Sequence, residues 1–457
     1  MCMKKIYLFL FCLIAFKIAS AQWATTASMS TTRAGHVAAN LTNGNVLVAG
    51  GWDYSSNLSA AEIYDALTNT WSNATSMSEA RYLATATTLD NGNVLIVGGY
   101  NGNSNLASCE IYDPGNNTWT STGSLTVGRS SHTATKLQNG KVLVVGGYTG
   151  TLNTPVCELF DPTTNNWSSA GNLTFGRSYH TATLLNNGNV AIIGGYDPNS
   201  TFQLNSVEIY DVNANSWSAG AAMSQARDYH AASKLNDGKV LVSGGRVFTG
   251  ATPNYNGLAS AEIYDPVTDT WLAASDFTDT PICYGQQVTL TNGNVLSIAG
   301  VATFNTNDGA STPSVTYIYY ASLDAWDTTT MALDSRFEFA SILMNDGRVM
   351  VSGGADSSVE LYGVANQTSI TNMQSSNALF DIYPNPAINQ FNIKLNQPSE
   401  QVQISILDLT GQTCEAKIIN KTDKHIQFDT SKLSNGIYYV ILHADYVVET
   451  KKISILH

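Results

Sequence analysis

The sequence predicts an all-β chain: a seven-bladed β-propeller closed by its N-terminal strand, followed by a small β-sandwich. Three observations lead there. Gly-Gly recurs at Gly50, Gly98, Gly146, Gly194, Gly244 and Gly353, with Ala299-Gly300 in the remaining slot, at intervals of 48 to 55 residues. A period near 50 built from short strands marks a propeller. An Asn-Gly or Asp-Gly pair precedes each apolar run, and a Trp falls seven residues after an aromatic position in six of the units.

Each unit reads as four strands. The pairs at Asn43, Asn91, Asn139, Asn187, Asp237, Asn292 and Asp346, each followed by Gly, suit type I′ hairpin turns. The run after each turn, such as Val46-Leu47-Val48, is apolar throughout and fits a strand buried on both faces. Gly-Gly then permits close backbone approach. Ala61-Glu62-Ile63-Tyr64-Asp65 and its equivalents give the third strand, and Trp71, Trp119, Trp167, Trp217, Trp271 and Trp326 mark the fourth. The last unit ends at Tyr362 without its Trp. Trp23 lies ten residues before Arg33, as Trp71 lies ten before Arg81, so the N-terminal strand is expected to complete the last blade. Closure removes free edges.

This grammar of Gly-Gly, Tyr and Trp in a four-stranded unit resembles the kelch repeat, over residues 22–363. The resemblance implies a rigid ring whose loops carry function. Some kelch propellers are enzymes, such as copper-radical oxidases and sialic-acid epimerases, so an extracellular galactose-oxidase-like or sugar-modifying enzyme is the alternative to a binding protein.

Two repeated charges look functional but pair with each other. Arg33, Arg81, Arg129, Arg177, Arg227 and Arg336 precede the first strands; Glu62, Glu110, Glu158, Glu208, Glu262 and Glu360 sit in the third strands of the same units. The sixth unit lacks both, with Ile282 and Tyr317 instead. Joint loss is expected of partly buried ion pairs, because removing one partner strands a charge. His36, His132, His180 and His230 share a slot three residues after the Arg, which Ala84, Gly285 and Phe339 fill elsewhere. Equivalent positions spread round a ring cannot converge on one ion, so no metal is expected there. Cys109 and Cys157 also share a slot in neighbouring units, too far apart for a disulfide, and read as small buried hydrophobes. No catalytic residue is assigned, no cofactor is expected, and binding is favoured over catalysis.

The turns split between two faces. The Asn-Gly turns share a uniform face, whereas the connections after Gly-Gly vary: eleven residues to the Glu slot in the first three units, thirteen in the fourth, seventeen in the fifth and sixth. Variable loops on a rigid scaffold are where function sits. Candidate ligand-binding residues are Trp52, Tyr100, Tyr148 and Tyr196 directly after Gly-Gly, Arg246 in the fifth unit, and Phe248, Tyr255, Phe304 and Asp308 in the long loops. Such rings suit stacking on sugars or anchoring a protein partner; packing beneath their own loops is the other reading.

Charged residues are 12% and the formal net charge is −13, which argues against nucleic acid as partner. Lys4 and Lys5, the apolar stretch 6–16 and Ala19-Ser20-Ala21 read as a signal peptide over 1–21, with the mature chain beginning at Gln22. No later run is long enough for a transmembrane segment. A polar linker is expected over 364–378. Beyond it, Tyr383-Pro384-Asn385-Pro386, Asp408-Leu409-Thr410-Gly411, Leu433-Ser434-Asn435-Gly436-Ile437-Tyr438 and the Lys451-Lys452 strand resemble type IX (type A) sorting domains, over 379–457. That resemblance implies contact with the type IX secretion machinery and a secreted or surface-attached product.

Overall fold

Seven repeats of the same four-strand grammar fold into seven four-stranded antiparallel sheets. The computed structural model describes residues 22–455 apart from 200–201, 249–254, 278–280, 299, 301–302, 306–308, 312–314, 331–335, 355, 364–379, 386, 396–401, 408–413, 415, 423 and 445–446. The expected signal peptide and linker, and Asp308, therefore lie outside the described residues. No described residue is helical, and no helix long and apolar enough to cross a membrane occurs among them. The chain divides between Asn366 and Gln367 into two compact units.

In the first unit, sheet I consists of Val37–Asn40, Val46–Ala49, Ala61–Asp65 and Thr70–Ala74, paired in that order. Sheets II to VI repeat it within 85–121, 133–172, 181–220, 231–274 and 286–330. Sheet VII has three strands from 340–363, and its fourth is Gln22–Thr25, which pairs antiparallel with Val359–Gly363 and sets Trp23 opposite Tyr362. The first strands touch in series from sheet I to sheet VII, and that of sheet VII touches that of sheet I. The second strands are wholly buried, since apolar side chains on both faces pack against neighbouring sheets.

Sheets are joined edge to edge by repeated contacts. In six of the sheets the fourth-strand Trp donates its indole N–H to a carbonyl in or next to the preceding sheet, Trp119 to Thr75 and Trp167 to Gly123, both at 2.7 Å; Trp23 does not. Trp71 does the same to Ala27, just past the N-terminal strand. The second Gly of each pair donates its N–H to the carbonyl at the next sheet's Arg position: Gly51 to Arg81 at 2.7 Å, and Gly354 to Arg33 at 2.8 Å. A Cβ on Gly50, whose φ is +66°, would lie 2.4 Å from the Arg81 carbonyl oxygen. Gly-Gly is thus a requirement of sheet-to-sheet approach.

Between those contacts sits the Arg–Glu pair. The guanidinium–carboxylate distances are 2.9 Å for Arg33–Glu62 and Arg81–Glu110, 2.8 Å for Arg129–Glu158, 2.6 Å for Arg177–Glu208, 3.0 Å for Arg227–Glu262 and 3.2 Å for Arg336–Glu360. All twelve side chains are buried. Arg81 also donates to the Gly98 and Ser108 carbonyls, while Glu110 accepts the Ser78 N–H from the connection between sheets. Every charge is therefore met by several partners, the condition under which burial of ions is tolerable. In sheet VI, Ile282 and Tyr317 are buried, and Tyr317 packs on Phe277 with ring centroids 4.8 Å apart. Cys109 and Cys157 are buried free thiols, and burial pushes them up to about 11 and about 12.

The long loops of sheets V and VI are not irregular. Arg246–Phe248, Tyr255–Gly257, Thr303–Asn305 and Gly309–Ser311 pair into an additional four-stranded sheet, and Tyr196–Asp197 pairs with Phe202–Gln203 beside it. The second unit has two sheets: Phe380–Tyr383, Gln390–Leu395, His425–Asp429 and Lys417–Lys421; and Val402–Leu407, Gly436–Ala444 and Val447–Ile455. Their apolar residues share one core, with Phe391 and Phe428 stacked at 5.0 Å.

Replacing Glu110 by Gln leaves the Arg81 charge buried without its counter-ion. Urea denaturation should show a loss of about 3–5 kcal/mol. Deleting residues 22–25 bares the backbone edge of Val359–Gly363, and a lowered melting temperature with faster aggregation is expected.

Candidate functional site

The residue two positions after each Arg adopts the left-handed conformation, whatever its type. Gly35, Leu83, Ser131, Tyr179, Tyr229, Tyr284 and Glu338, one per sheet, have φ between +50° and +61°. The cause is a chain of backbone hydrogen bonds from sheet to sheet. Leu83 N–H donates to Gly35 at 2.9 Å, Ser131 to Leu83 at 3.1 Å, Tyr229 to Tyr179 at 3.1 Å and Tyr284 to Tyr229 at 3.0 Å; Gly35 donates to Glu338 at 2.7 Å. Left-handed backbone is costly for side chains other than Gly and Asn. Here seven sheets impose it together.

These seven residues line a central cavity of about 280 Å³, with His36, His132, His180 and His230 beneath them. Tyr179 stacks on Tyr229 at 3.9 Å between ring centroids, and Tyr229 on Tyr284 at 3.7 Å. Arg246 lies 4.5 Å from the centroid of Tyr229 and donates to the Tyr284 hydroxyl at 2.7 Å. Across the mouth, the Tyr82 hydroxyl donates to the Glu338 carboxylate. The Tyr82 ring reaches it by lying over Gly35, where a Cβ would stand 2.3 Å from a ring carbon. Burial raises the Glu338 carboxyl above its usual range, partly offset by the Tyr82 hydrogen bond.

The four histidines are neutral. Burial, helped by the neighbouring Arg charge, drives His36, His132 and His230 down to about 3, and His180 well below its ordinary value. Each Nε2 is 2.9 Å from a hydroxyl of the adjoining sheet: Ser352, Thr85, Thr133 and Thr181 respectively for His36, His132, His180 and His230. No Nδ1 makes a hydrogen bond of good geometry, although the Arg33, Arg177 and Arg227 carbonyls weakly favour the charged forms of His36, His180 and His230.

A groove of about 580 Å³ adjoins this cavity, between the Gly-Gly loops of sheets II and III; Leu83 and Tyr179 line both. Its walls carry Tyr82, Tyr100, Tyr148 and Tyr179, with Asn103, Asn105, Ser104, Ser130, Thr149 and Thr151 between them. The Tyr100 and Tyr148 hydroxyls donate to their own loops, to the Gly102 and Gly150 carbonyls at 2.6 Å, which fixes the rings. Tyr148 remains 40% exposed. A hollow of about 490 Å³ on the Asn-Gly turn face has one aromatic ring, Tyr319, whose hydroxyl is bound to Asp324.

The other candidates from the sequence are dispersed. Trp52 packs on Tyr54 and Tyr82, with ring centroids 4.7 and 6.4 Å apart. Tyr196 and Phe248 flank Phe202 at 6.4 and 5.1 Å. Arg246 is bound to the buried Asp228 at 3.0 Å, so it is no free cation at a loop tip. Tyr255 and Phe304 are opposite one another in the additional sheet. Sequence reasoning missed Tyr82, Tyr179, Tyr229, Tyr284 and Glu338. A shared offset from Arg was the available signal, but seven different environments of Gly, Leu, Ser, Tyr and Glu hide it.

The ring-like series of four-stranded sheets around a central cavity defines a β-propeller. The chain matches the KLHDC2/KLHL20/DRC7 Kelch-repeats domain over residues 4–147 and 131–354, and it belongs to the Kelch-repeat family. Residues 381–456 match the secretion system C-terminal sorting domain, which indicates export to the cell surface or secretion. Among solved structures, a fungal alcohol oxidase of the AA5 family in complex with copper is similar at TM-score 0.62 and 14% identity, covering 95% of this chain and 99% of that one. YjhT is similar at TM-score 0.51 and 18% identity, covering 67% and 99%. At these identities the likeness is one of fold. No curated protein sequence matches.

The histidines set the acid limb of stability. Their folded values lie below the unfolded value of about 6.5, so the unfolded chain binds more protons between about 6.5 and about 3. Stability is full above that window and falls as pH drops through it. His132→Ala, which copies Ala84 in the same slot of sheet II, should flatten the pH dependence of urea midpoints.

Proposed function

We propose that the chain is an exported glycan-binding propeller. It is read as seven blades over 22–363 closed by the N-terminal strand, with a signal peptide over 1–21, a linker over 364–378 and a sorting domain over 379–457. Support for closure comes from the Gln22–Thr25 pairing and from the Gly354–Arg33 and Gly35–Glu338 hydrogen bonds between sheets VII and I. The sorting domain addresses the chain to the type IX machinery and the cell surface.

The observation that carries the binding assignment is the groove on sheets II and III. Four tyrosine rings, two of them held by their own hydroxyl bonds, alternate with amide and hydroxyl side chains. Sugar rings present one apolar face and a rim of hydroxyls, and this wall offers stacking surface and hydrogen-bonding groups to match. Rigid aromatics also lose little entropy on binding. A protein partner would more readily use the additional sheet, none of whose residues is among the described lining of the groove.

The fungal oxidase structure contains copper. The four histidines at the cavity do not fit that ion: each Nε2 is committed to a hydroxyl, and they stand in four different sheets. Among the described residues, no three His, Cys, Asp or Glu side chains are placed to hold a metal. Among the described lining residues, Glu338 carries the one carboxylate that could serve an enzyme reading as acid or base at the mouth.

A glycan array probed with the mature full chain should give saturable binding to a set of saccharides. Tyr100→Ala and Tyr148→Ala should each weaken it about tenfold or more, at ~1–3 kcal/mol per stacked ring by analogy with aromatic–base stacking. Unchanged affinity in both variants contradicts the assignment, and turnover of a bound saccharide would transfer it to the enzyme reading.

A further inference from the structure

The central cavity holds one carboxylate that the fold does not need. Its slot is filled by Gly35, Leu83, Ser131 and three tyrosines in the other sheets, so a charge there is no requirement of the ring. Glu338 is half-buried, and among the described residues its carboxylate has a single partner, the neutral hydroxyl of Tyr82. No cation among the described residues neutralises it. This sets it apart from the buried carboxylates of the Arg–Glu pairs, each of which meets a guanidinium within 3.2 Å. An uncompensated, partly desolvated carboxylate in a cavity costs stability and marks a site where a ligand supplies the missing charge.

The surroundings agree in sign. No Lys or Arg is among the described residues that line the cavity or the groove. The histidines stay neutral at physiological pH, and the nearby Arg246 charge is met by Asp228. Glu338 is the one acidic or basic side chain, histidine aside, among the described lining residues, so the mouth favours cations over anions. The Tyr179–Tyr229–Tyr284 stack adds electron-rich ring faces, and the seat of Arg246 over Tyr229 shows that such a face accepts a cation. Tyr179 belongs to cavity and groove alike, so a saccharide lying in the groove would bring its end residue to the cavity.

We infer that the mouth is selective for saccharides bearing a free ammonium group, with Glu338 as the specificity-determining residue. The inference rests on the glycan reading above. The ammonium replaces the absent counter-ion, while acetylated amino sugars lack the charge and uronic or sulfated sugars carry the wrong one.

The test is calorimetric titration of the mature full chain at pH 6 with tetramers of glucosamine, N-acetylglucosamine and glucose. The glucosamine tetramer should bind at least tenfold tighter than the other two. Glu338→Gln, which keeps a partner for Tyr82, should abolish that preference by lowering glucosamine-tetramer affinity to that of the uncharged tetramers, with the melting temperature unchanged or raised. Equal affinity for all three in the wild-type chain overturns the inference without touching the glycan reading, whatever the variant does. A preference that survives Glu338→Gln overturns it too. A lysine peptide that binds as tightly as the glucosamine tetramer and displaces it would overturn the saccharide as source of the ammonium. Absence of binding to any glycan, in this titration and on the array, removes both readings.

Discussion

The buried Arg–Glu pair is the constraint on which each repeat depends. Arg81 reaches two carbonyls at the ends of the second and third strands and the Glu110 carboxylate, and Glu110 in turn holds the N–H of Ser78 in the connection that leads from one sheet to the next. One ion pair therefore fixes strand ends and an inter-sheet connection that would otherwise carry unsatisfied buried polar groups. The alternative in sheet VI is instructive. Ile282 and Tyr317 fill the space with apolar surface, as expected where both charges are replaced together and not one alone.

The pair also explains where side chains are free to vary. Just beyond the Arg, the chain turns through a left-handed residue whose N–H donates to the preceding sheet, and the backbone alone makes that bond. That bond specifies no side chain, so Gly35, Ser131, Tyr179 and Glu338 occupy equivalent places, although the Tyr82 ring leaves no room for a Cβ at Gly35. The scaffold thus delivers six side chains that the bond leaves free to vary to one central mouth. Chemistry at the mouth is decoupled from folding, and the stacked tyrosines and the unpaired carboxylate are tolerated there for that reason. The sorting domain needs no share in this arrangement: it has its own core around Phe391 and Phe428.

Much of the scaffold was legible in the sequence because it is periodic. Gly50, Trp71 and the Asn43-Gly44 turn recur with the same offsets, and the joint absence of Arg and Glu at Ile282 and Tyr317 exposes the ion pair from sequence alone. The site was legible only in part. Tyr100 and Tyr148 follow Gly-Gly and were found by that offset. Tyr82, Tyr229 and Glu338 were not, since nothing in their chemistry repeats from sheet to sheet. The loops around Tyr255 and Phe304 carry turn signals at Pro253-Asn254 and Asp308-Gly309, but the short runs beside them alternate too weakly to show that they pair across the fifth and sixth repeats. Asp228, which neutralises Arg246, lies eighteen residues before it, and only the neighbouring strand ends bring the two together.

The proposed saccharide site is the mouth formed by the Gly-Gly loops and the left-handed ring. Hydrogen–deuterium exchange of the mature full chain with and without a bound saccharide tests it most directly. The account predicts added protection at 100–105 and 148–153 and around Tyr179, with the Asn-Gly turns unchanged. Protection concentrated at the Asn-Gly turns, or confined to the sorting domain, would contradict it.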